Sequence, residues 1–161
     1  MKRLNNPYEK IDGYNCFGCA RSNDSGLKME FFLDGEEVVS LWNPEKRFRG
    51  YGKVLHGGII GTLLDELGAW AVMVLAGTAG VTREMTVRYL KPVLTDQGDL
   101  TLRSRIVKQE KSAASVRAEI YNPNGILTTE ADIQYFLFPR HIAEKRLSYP
   151  GTEAFKKNEN P

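Results

Sequence analysis

Side chains that bind metals or form disulfides are scarce in this chain. Only two cysteines and two histidines occur among 161 residues. The cysteines form a single CxxC pair, Cys16 and Cys19, whereas a structural zinc site needs four ligands. We interpret the pair as two thiols of a packed loop and expect no metal and no cofactor. A zinc site and a redox pair are the alternatives, although redox CxxC motifs open a helix and this one precedes a strand.

An excess of charge is also absent. The chain has 22 Lys and Arg against 20 Asp and Glu, a net charge of +2. This balance argues against nucleic acid or a membrane surface as the partner, although a few local cations would suffice for a small polyanion. No apolar segment follows Lys2 and Arg3, so we expect no secretory signal and a cytoplasmic location.

The length and composition fit one domain. With 161 residues and 42% hydrophobic content, the chain has enough apolar side chains for one core. We divide it into an N-terminal segment with the CxxC pair (1–25), a main domain (26–138) and a polar, lysine-rich tail (139–161). The tail is expected to form at most a short helix.

One long apolar run is present, at residues 59–76, and it contains two adjacent acidic residues, Asp65 and Glu66. The charges favour a helix buried in the fold over a membrane span. A carboxylate in apolar surroundings costs several kcal/mol unless it is paired or its pKa shifts. Asp65 is therefore a candidate for acid–base or nucleophilic chemistry, with a structural or interface carboxylate as the alternative. Glu66 lies about 100° further round the helix and is expected to be structural or directed to the surface.

Strand patterns surround this helix. Residues 27–34 and 36–43 flank Asp34-Gly35 and predict a hairpin. Alternating patterns near 81–91, 98–110, 112–121 and 126–138 predict an antiparallel meander. A hairpin, a long apolar helix and a meander predict an α+β fold in which a curled antiparallel sheet wraps round one central helix.

Several segments carry a resemblance to a known family. The string HGGIIGTLLDELGAWA, from His56 to Ala71, resembles the helix signature of PaaI-like hotdog-fold thioesterases, in which the catalytic Asp follows seven residues after the second glycine. Asp65 has that position. The similarity covers roughly residues 15–138 and includes segments 16–19, 26–29, 48–55 and 82–93.

The resemblance implies a hotdog fold and hydrolysis of an acyl-CoA thioester. It also implies Asp65 as the general base or nucleophile. The amides of Gly57 and Gly58, at a helix N-terminus, suit a developing oxyanion. Because Asp65 lies about 10 Å along the helix from Gly58, one subunit cannot supply both groups to one carbonyl. The family's antiparallel helix pairing implies a homodimer, or a dimer of dimers, in which each site combines two chains.

The resemblance and the local sequence also indicate roles for four further residues. His56 is expected to hold the glycine turn, or alternatively to bond the substrate carbonyl. Thr82 matches a family position whose hydroxyl orients the water. Gly50 and Tyr51 match the segment that approaches the helix, although some relatives have Asn where this chain has Gly50.

Three cations and three apolar residues have two interpretations each. Arg88, Lys91 and Lys111 are candidates for the phosphates of coenzyme A, or else solvated surface cations. Trp70, Met73 and Leu75 are expected to fill the core, with an acyl tunnel as the alternative.

Two other functions are compatible with this scaffold. One is a non-catalytic protein that binds or senses acyl-CoA. The other is a hotdog hydratase or dehydratase, which needs a different spacing of His and Asp on the helix. Function belongs to the site rather than to the fold, so the fold does not decide among them.

Overall fold

The computed structural model describes residues 1–156. Its strands and helices are, in chain order, β1 (Lys2–Arg3), β2 (Phe32–Asp34), β3 (Glu37–Trp42), α1 (Gly57–Ala71), β4 (Gly80–Tyr89), β5 (Leu100–Gln109), β6 (Ala113–Tyr121), β7 (Leu127–Leu137) and α2 (Arg140–Leu147). Short 3₁₀ turns occupy Pro7–Lys10, Lys46–Phe48 and Thr152–Phe155.

The strands form one antiparallel sheet in the order β1-β2-β3-β5-β6-β7-β4. Helix α1 contacts β3, β5, β6, β4 and β7 along the inner face of this curled sheet. The predicted α+β hotdog fold is confirmed.

The core lies between α1 and the inner face of the sheet. Alternate residues of β6 are buried, as a strand with one covered face requires: Ala114, Val116, Ala118 and Ile120. Ser104 is also fully buried, and its hydroxyl donates to the Leu67 carbonyl of α1 at 3.2 Å. This bond ties the helix to the middle of the sheet.

The predicted hairpin is present, with a shorter first strand. Asp34 pairs with Glu37, so the turn consists of Gly35 and Glu36, and Gly35 has the left-handed φ of 61°. Strand β2 begins at Phe32 rather than at residue 27. Lys28 has a φ of 52°, which breaks the extended chain before the ladder.

Helix α1 begins at Gly57 and continues through a π-helical turn, Val72–Ala76, to Gly77 at a φ of 69°. By length and composition alone the stretch Gly57–Ala76 could cross a membrane, a test that the core helix of a soluble protein also passes. Half of its most apolar part is buried inside the fold.

The prediction of a polar C-terminal tail needs correction as far as residue 156. Ala143, Tyr149 and Phe155 are buried, and the Tyr149 hydroxyl donates to the Met73 carbonyl at 2.8 Å. Three well-spaced side chains suffice to dock this segment, so its polar average composition was misleading. Residues 157–161 of the predicted tail lie outside the described residues. The three-part division of the chain stays a prediction.

Candidate active site

A cleft of about 460 Å³ separates the first two turns of α1 from the inner face of β4. It is lined by Gly57, Gly58, Gly61, Thr62, Asp65, Thr82, Met85, Val87 and Tyr89. The structure thus brings together four of the predicted site residues: Gly57, Gly58, Asp65 and Thr82.

The glycine turn at the start of α1 is fixed from both sides. His56 is the N-cap, and its Nδ1 accepts the Gly58 amide at 3.0 Å. The Tyr89 hydroxyl donates to the Gly57 carbonyl at 2.9 Å. His56 therefore has the local hydrogen-bonding position that the sequence indicated. The Gly57 amide comes first in the helix, where no intrahelical acceptor exists for it.

Asp65 is oriented by the neighbouring strand. The Thr82 hydroxyl donates to Asp65 Oδ1 at 2.7 Å. Residues Tyr89, Val87 and Met85 alternate toward the cleft, and strict alternation would next bring Arg83 there. A register shift between Thr82 and Glu84 changes the phase, so that Thr82 faces the cleft instead. The bulge is the local cause of the contact between Thr82 and Asp65.

A second tyrosine supports the helix beneath this carboxylate. The Tyr135 hydroxyl donates to the backbone carbonyl of Asp65 at 3.0 Å. The side chain is buried, and desolvation is the main cause that raises the pKa of the Tyr135 hydroxyl. Sequence reasoning missed Tyr135 because it lies 70 residues from Asp65. Tyr89 lies within the segment 82–93 that carries the family resemblance, but the neighbouring residues gave no sign that its hydroxyl reaches Gly57.

The two acidic residues of the helix face different surroundings: Asp65 lines the cleft, and Glu66 packs against Cys16 and Trp70. Asp65 is partly exposed at the cleft, which corrects the expectation that it is the carboxylate in apolar surroundings. Glu66 instead accepts from Trp70 Nε1 at 3.3 Å and lies 3.6 Å from Cys16 Sγ. Burial raises the pKa of the Glu66 carboxyl to about 7. Glu66 faces away from the cleft, as predicted, but it is not directed to the surface.

The remaining predicted substrate contacts lie outside the cleft. Gly50 packs behind His56, and Tyr51 is 92% exposed on the adjoining turn. Lys91 is exposed just after β4, and Lys111 is exposed in the turn between β5 and β6.

Arg88 has carboxylate partners within the sheet. It forms ion pairs with Glu130, at 2.6 Å, and with Asp132. These hydrogen bonds raise the pKa of the Arg88 guanidinium. Arg88 therefore reaches a phosphate only by giving up partners that it already has.

Trp70 belongs to the core, as expected. Its ring stacks on Phe31 at a centroid distance of 4.0 Å and meets Phe155 edge-on at 5.4 Å. Met73 and Leu75 are partly buried and pack against the same core. Phe31, just before β2, and Phe155, in the C-terminal segment, thus pack against Trp70 near the end of α1.

Comparison with known proteins agrees with this architecture. The thioesterase superfamily model matches residues 52–129, which include the start of α1, Asp65 and Thr82. A predicted esterase of Sulfurisphaera tokodaii is 31% identical over 107 residues, which are 66% of this chain and 78% of that protein. The chain belongs to the thioesterase superfamily. Its relatives support thioester hydrolysis as the general activity.

Two further members are similar to this chain. Mouse acyl-coenzyme A thioesterase 13 is 30% identical over 88 residues, which are 54% of this chain and 62% of the mouse protein. A Streptococcus pneumoniae hypothetical thioesterase, solved with coenzyme A, has a TM-score of 0.65 and 26% identity. That match covers 70% of this chain and 90% of the pneumococcal one.

Proposed function

We propose that this protein is an acyl-CoA thioesterase of the cytoplasm, which hydrolyses its substrate to a free acid and coenzyme A. The observation that carries the proposal is the Asp65 carboxylate, held at 2.7 Å by Thr82 in a cleft that also contains the glycine start of α1. The mouse relative named as an acyl-CoA thioesterase and the pneumococcal relative solved with coenzyme A support this substrate class.

Asp65 supplies the base or the nucleophile. As a base, its carboxylate takes a proton from water while the water oxygen bonds to the thioester carbonyl carbon. The tetrahedral intermediate then expels the coenzyme A thiolate by breaking the C–S bond, and the proton passes to the sulfur. As a nucleophile, the Asp65 carboxylate bonds to the carbonyl carbon, the C–S bond breaks and the coenzyme A thiolate leaves. Water then hydrolyses the acyl–Asp65 anhydride to the free acid and the carboxylate, and a proton from that water passes to the sulfur. The hydrogen bond from Thr82 orients the carboxylate in both routes.

The oxyanion donors come from a second copy of the chain. Gly58 and Asp65 are about 10 Å apart along the helix axis, too far to act on one carbonyl carbon and its oxygen. We propose that the Gly57 and Gly58 amides of one subunit face Asp65 of the other. A substrate oxygen that accepts a hydrogen bond from the Gly58 amide would replace His56 Nδ1, which accepts that hydrogen bond in the single chain.

The sheet offers an edge for this pairing. Within residues 1–156, β4 pairs only with β7, and it is ten residues long. The Leu90 amide donates to the Thr128 carbonyl at 2.8 Å, on the β7 side. Since hydrogen bonding alternates along an antiparallel strand, the amides of Met85, Val87 and Tyr89 point to the open edge. A long unpaired edge is a template for a second chain.

Coenzyme A has candidate contacts at the rim of the cleft. Lys91 is exposed beyond the end of β4 and keeps its predicted role at a phosphate. Gly50 and Tyr51 lie on the turn beside His56 and keep their predicted substrate contacts. Arg88 is the weaker candidate because Glu130 and Asp132 already bind it.

The decisive experiment is thiol release from a series of acyl-CoAs, from acetyl to palmitoyl, with phenylacetyl and benzoyl included. We expect hydrolysis with a clear optimum, which would identify the acyl class. Binding of acyl-CoA without release of thiol from any of them would contradict the proposal and favour a binding or sensing protein.

Thr82→Val is expected to lower kcat by roughly ten- to a hundredfold with KM nearly unchanged, because a hydrogen bond to a charged group contributes about 1.5–3 kcal/mol. Steady-state kinetics with the best acyl-CoA measures this. Thr86→Val is the matched control, since Thr86 is an exposed residue of the same strand and does not line the cleft. A wild-type kcat in the Thr82→Val variant would contradict the proposal that Thr82 orients the Asp65 carboxylate.

A further inference from the structure

Two cysteines and a carboxylate meet on the side of α1 that faces away from the cleft. The sulfur atoms of Cys16 and Cys19 and a carboxylate oxygen of Glu66 all lie within 4.8 Å of one another. Cys19 is buried, and Cys16 and Glu66 are partly buried. The cluster joins the N-terminal segment to the middle of α1, across 50 residues of sequence.

The loop that carries the cysteines is shaped around Glu66. A Cβ atom on Gly18, between the two cysteines, would collide with the Glu66 carboxyl. With any larger residue at this position the Glu66 carboxyl would have to shift away from its present place beside the thiols. Backbone hydrogen bonds close the loop, from the Ala20 amide to the Cys16 carbonyl at 3.1 Å, from the Leu27 amide to the Phe17 carbonyl at 2.8 Å and from the Met29 amide to the Gly18 carbonyl at 2.9 Å.

Polar groups also surround the second sulfur. The Tyr14 hydroxyl lies 3.0 Å from Cys19 Sγ, and Asn6 Nδ2 donates to the same sulfur at 3.5 Å. Outer hydrogen bonds of this kind orient the ligands of a metal site. A cavity of about 420 Å³, lined in part by Tyr8, Tyr14 and Met73, opens onto Cys16, Cys19 and Glu66. It gives an ion access and leaves room for water.

We propose that Cys16, Cys19 and Glu66 bind one soft divalent cation, zinc or a chemically similar ion, with a water from the cavity as the fourth ligand. Two thiolates and a carboxylate form a ligand set that zinc accepts in tetrahedral geometry. Binding of a divalent cation displaces protons from these ligands, and the bound ion reduces the summed charge of the two thiolates and the carboxylate from −3 to −1. The ion would cross-link the N-terminal segment to α1.

The site is independent of the proposed hydrolysis. Glu66 is next to Asp65 in sequence, but its side chain contacts Cys16 and Trp70 instead of the cleft. The sequence argued against a metal because the CxxC pair alone supplies two ligands. The third ligand comes from a helix that only the folded chain brings near.

The test is a Co²⁺ titration of the reduced, metal-free full chain without an affinity tag. We expect thiolate-to-cobalt charge-transfer absorption that saturates at one ion per chain, and displacement of the cobalt by Zn²⁺. A thiol count under denaturing conditions confirms beforehand that both cysteines are reduced. The thermal midpoint of the chain should rise when the ion is added, because ligands of the folded state stabilise it.

Four variants separate the ligands from their surroundings. Cys16→Ser and Cys19→Ser should each weaken Co²⁺ binding by about 100-fold or more, and Glu66→Gln should weaken it by at least about tenfold. Gly18→Ala keeps all three ligands but displaces the Glu66 carboxyl, so we expect weaker binding there too. Asp65→Asn is the matched control, a carboxylate change one residue away that should leave Co²⁺ binding unaltered.

Two results would overturn the proposal. One is the absence of charge-transfer absorption from a chain whose two thiols have been counted as reduced. The other is identical Co²⁺ affinity in wild type and Glu66→Gln, which would leave only two ligands and no built site. Neither result depends on whether the chain hydrolyses acyl-CoA.

Discussion

We expect Asp65→Asn to slow thioester hydrolysis by roughly 10²- to 10⁴-fold, while the subunits stay paired and acyl-CoA still binds. Asparagine keeps the size of the side chain and accepts the Thr82 hydroxyl through its amide oxygen, but it neither takes a proton nor attacks a carbonyl. The measurement is kcat on the best acyl-CoA, with binding followed by calorimetry.

Glu66→Gln is the matched control for this result. It changes the adjacent carboxylate, which faces Cys16 and Trp70, so hydrolysis should remain within about tenfold of wild type. Wild-type activity in Asp65→Asn would show that the wrong carboxylate has been assigned. Loss of activity in Glu66→Gln together with retained activity in Asp65→Asn would show the same. Because Asp65 is partly exposed and bonded to Thr82, we expect little change in the free energy of unfolding for Asp65→Asn.

A single-turnover reaction in water labelled with ¹⁸O detects the nucleophilic role of Asp65. If the carboxylate is the nucleophile and water attacks the Asp65 carbonyl carbon of the anhydride, one label is left on Asp65. If Asp65 is the base, the label appears in the acid product and none enters Asp65. Peptide mass spectrometry of the protein after one turnover measures the label on Asp65, and its presence there establishes the anhydride.

The second large effect concerns the open edge of the sheet. We expect a mass of at least twice 18.1 kDa for the wild-type chain by light scattering at micromolar concentration. Val87→Pro removes an amide that points to the open edge and none that binds β7, so the chain should become monomeric and lose hydrolysis. Val87→Ala keeps the amide and is the control. A fully active monomer would refute the two-subunit site.

Mixed subunits test the shared site directly. Gly57→Pro removes one proposed oxyanion donor at the first helical position, where proline is tolerated, and His56 before it has a compatible ψ of 132°. Asp65→Asn and Gly57→Pro should each be nearly inactive alone. Random re-pairing of equal amounts makes half of the dimers mixed, each with one intact site, and should restore about one quarter of wild-type activity. No recovery in demonstrated mixed dimers would contradict sites built from two chains.

The periodicity of apolar residues in the sequence was enough to predict the helices and strands and their order. The alternation in β6 and the glycine-opened apolar run at residues 57–71 each reflect which side chains touch the core, a local property of the chain. The hotdog arrangement followed because an apolar helix and half-apolar strands have few ways to bury one another. Asp65 was proposed from its spacing from the glycines, whereas burial, the reason first given for it, raises the pKa of Glu66 instead.

Tertiary structure decided the rest, because each remaining feature depends on contacts between distant segments. Thr82 reaches Asp65 only through a bulge in β4, and a one-residue change of phase leaves no clear trace in composition. Tyr135 supports Asp65 from 70 residues away, and Glu66 meets Cys16 across 50. The sequence by itself determined the fold and the carboxylate on its helix, since both follow from local spacing. The sheet and the N-terminal loop decide which groups surround Asp65 and Glu66, because only packing brings those groups within hydrogen-bonding distance.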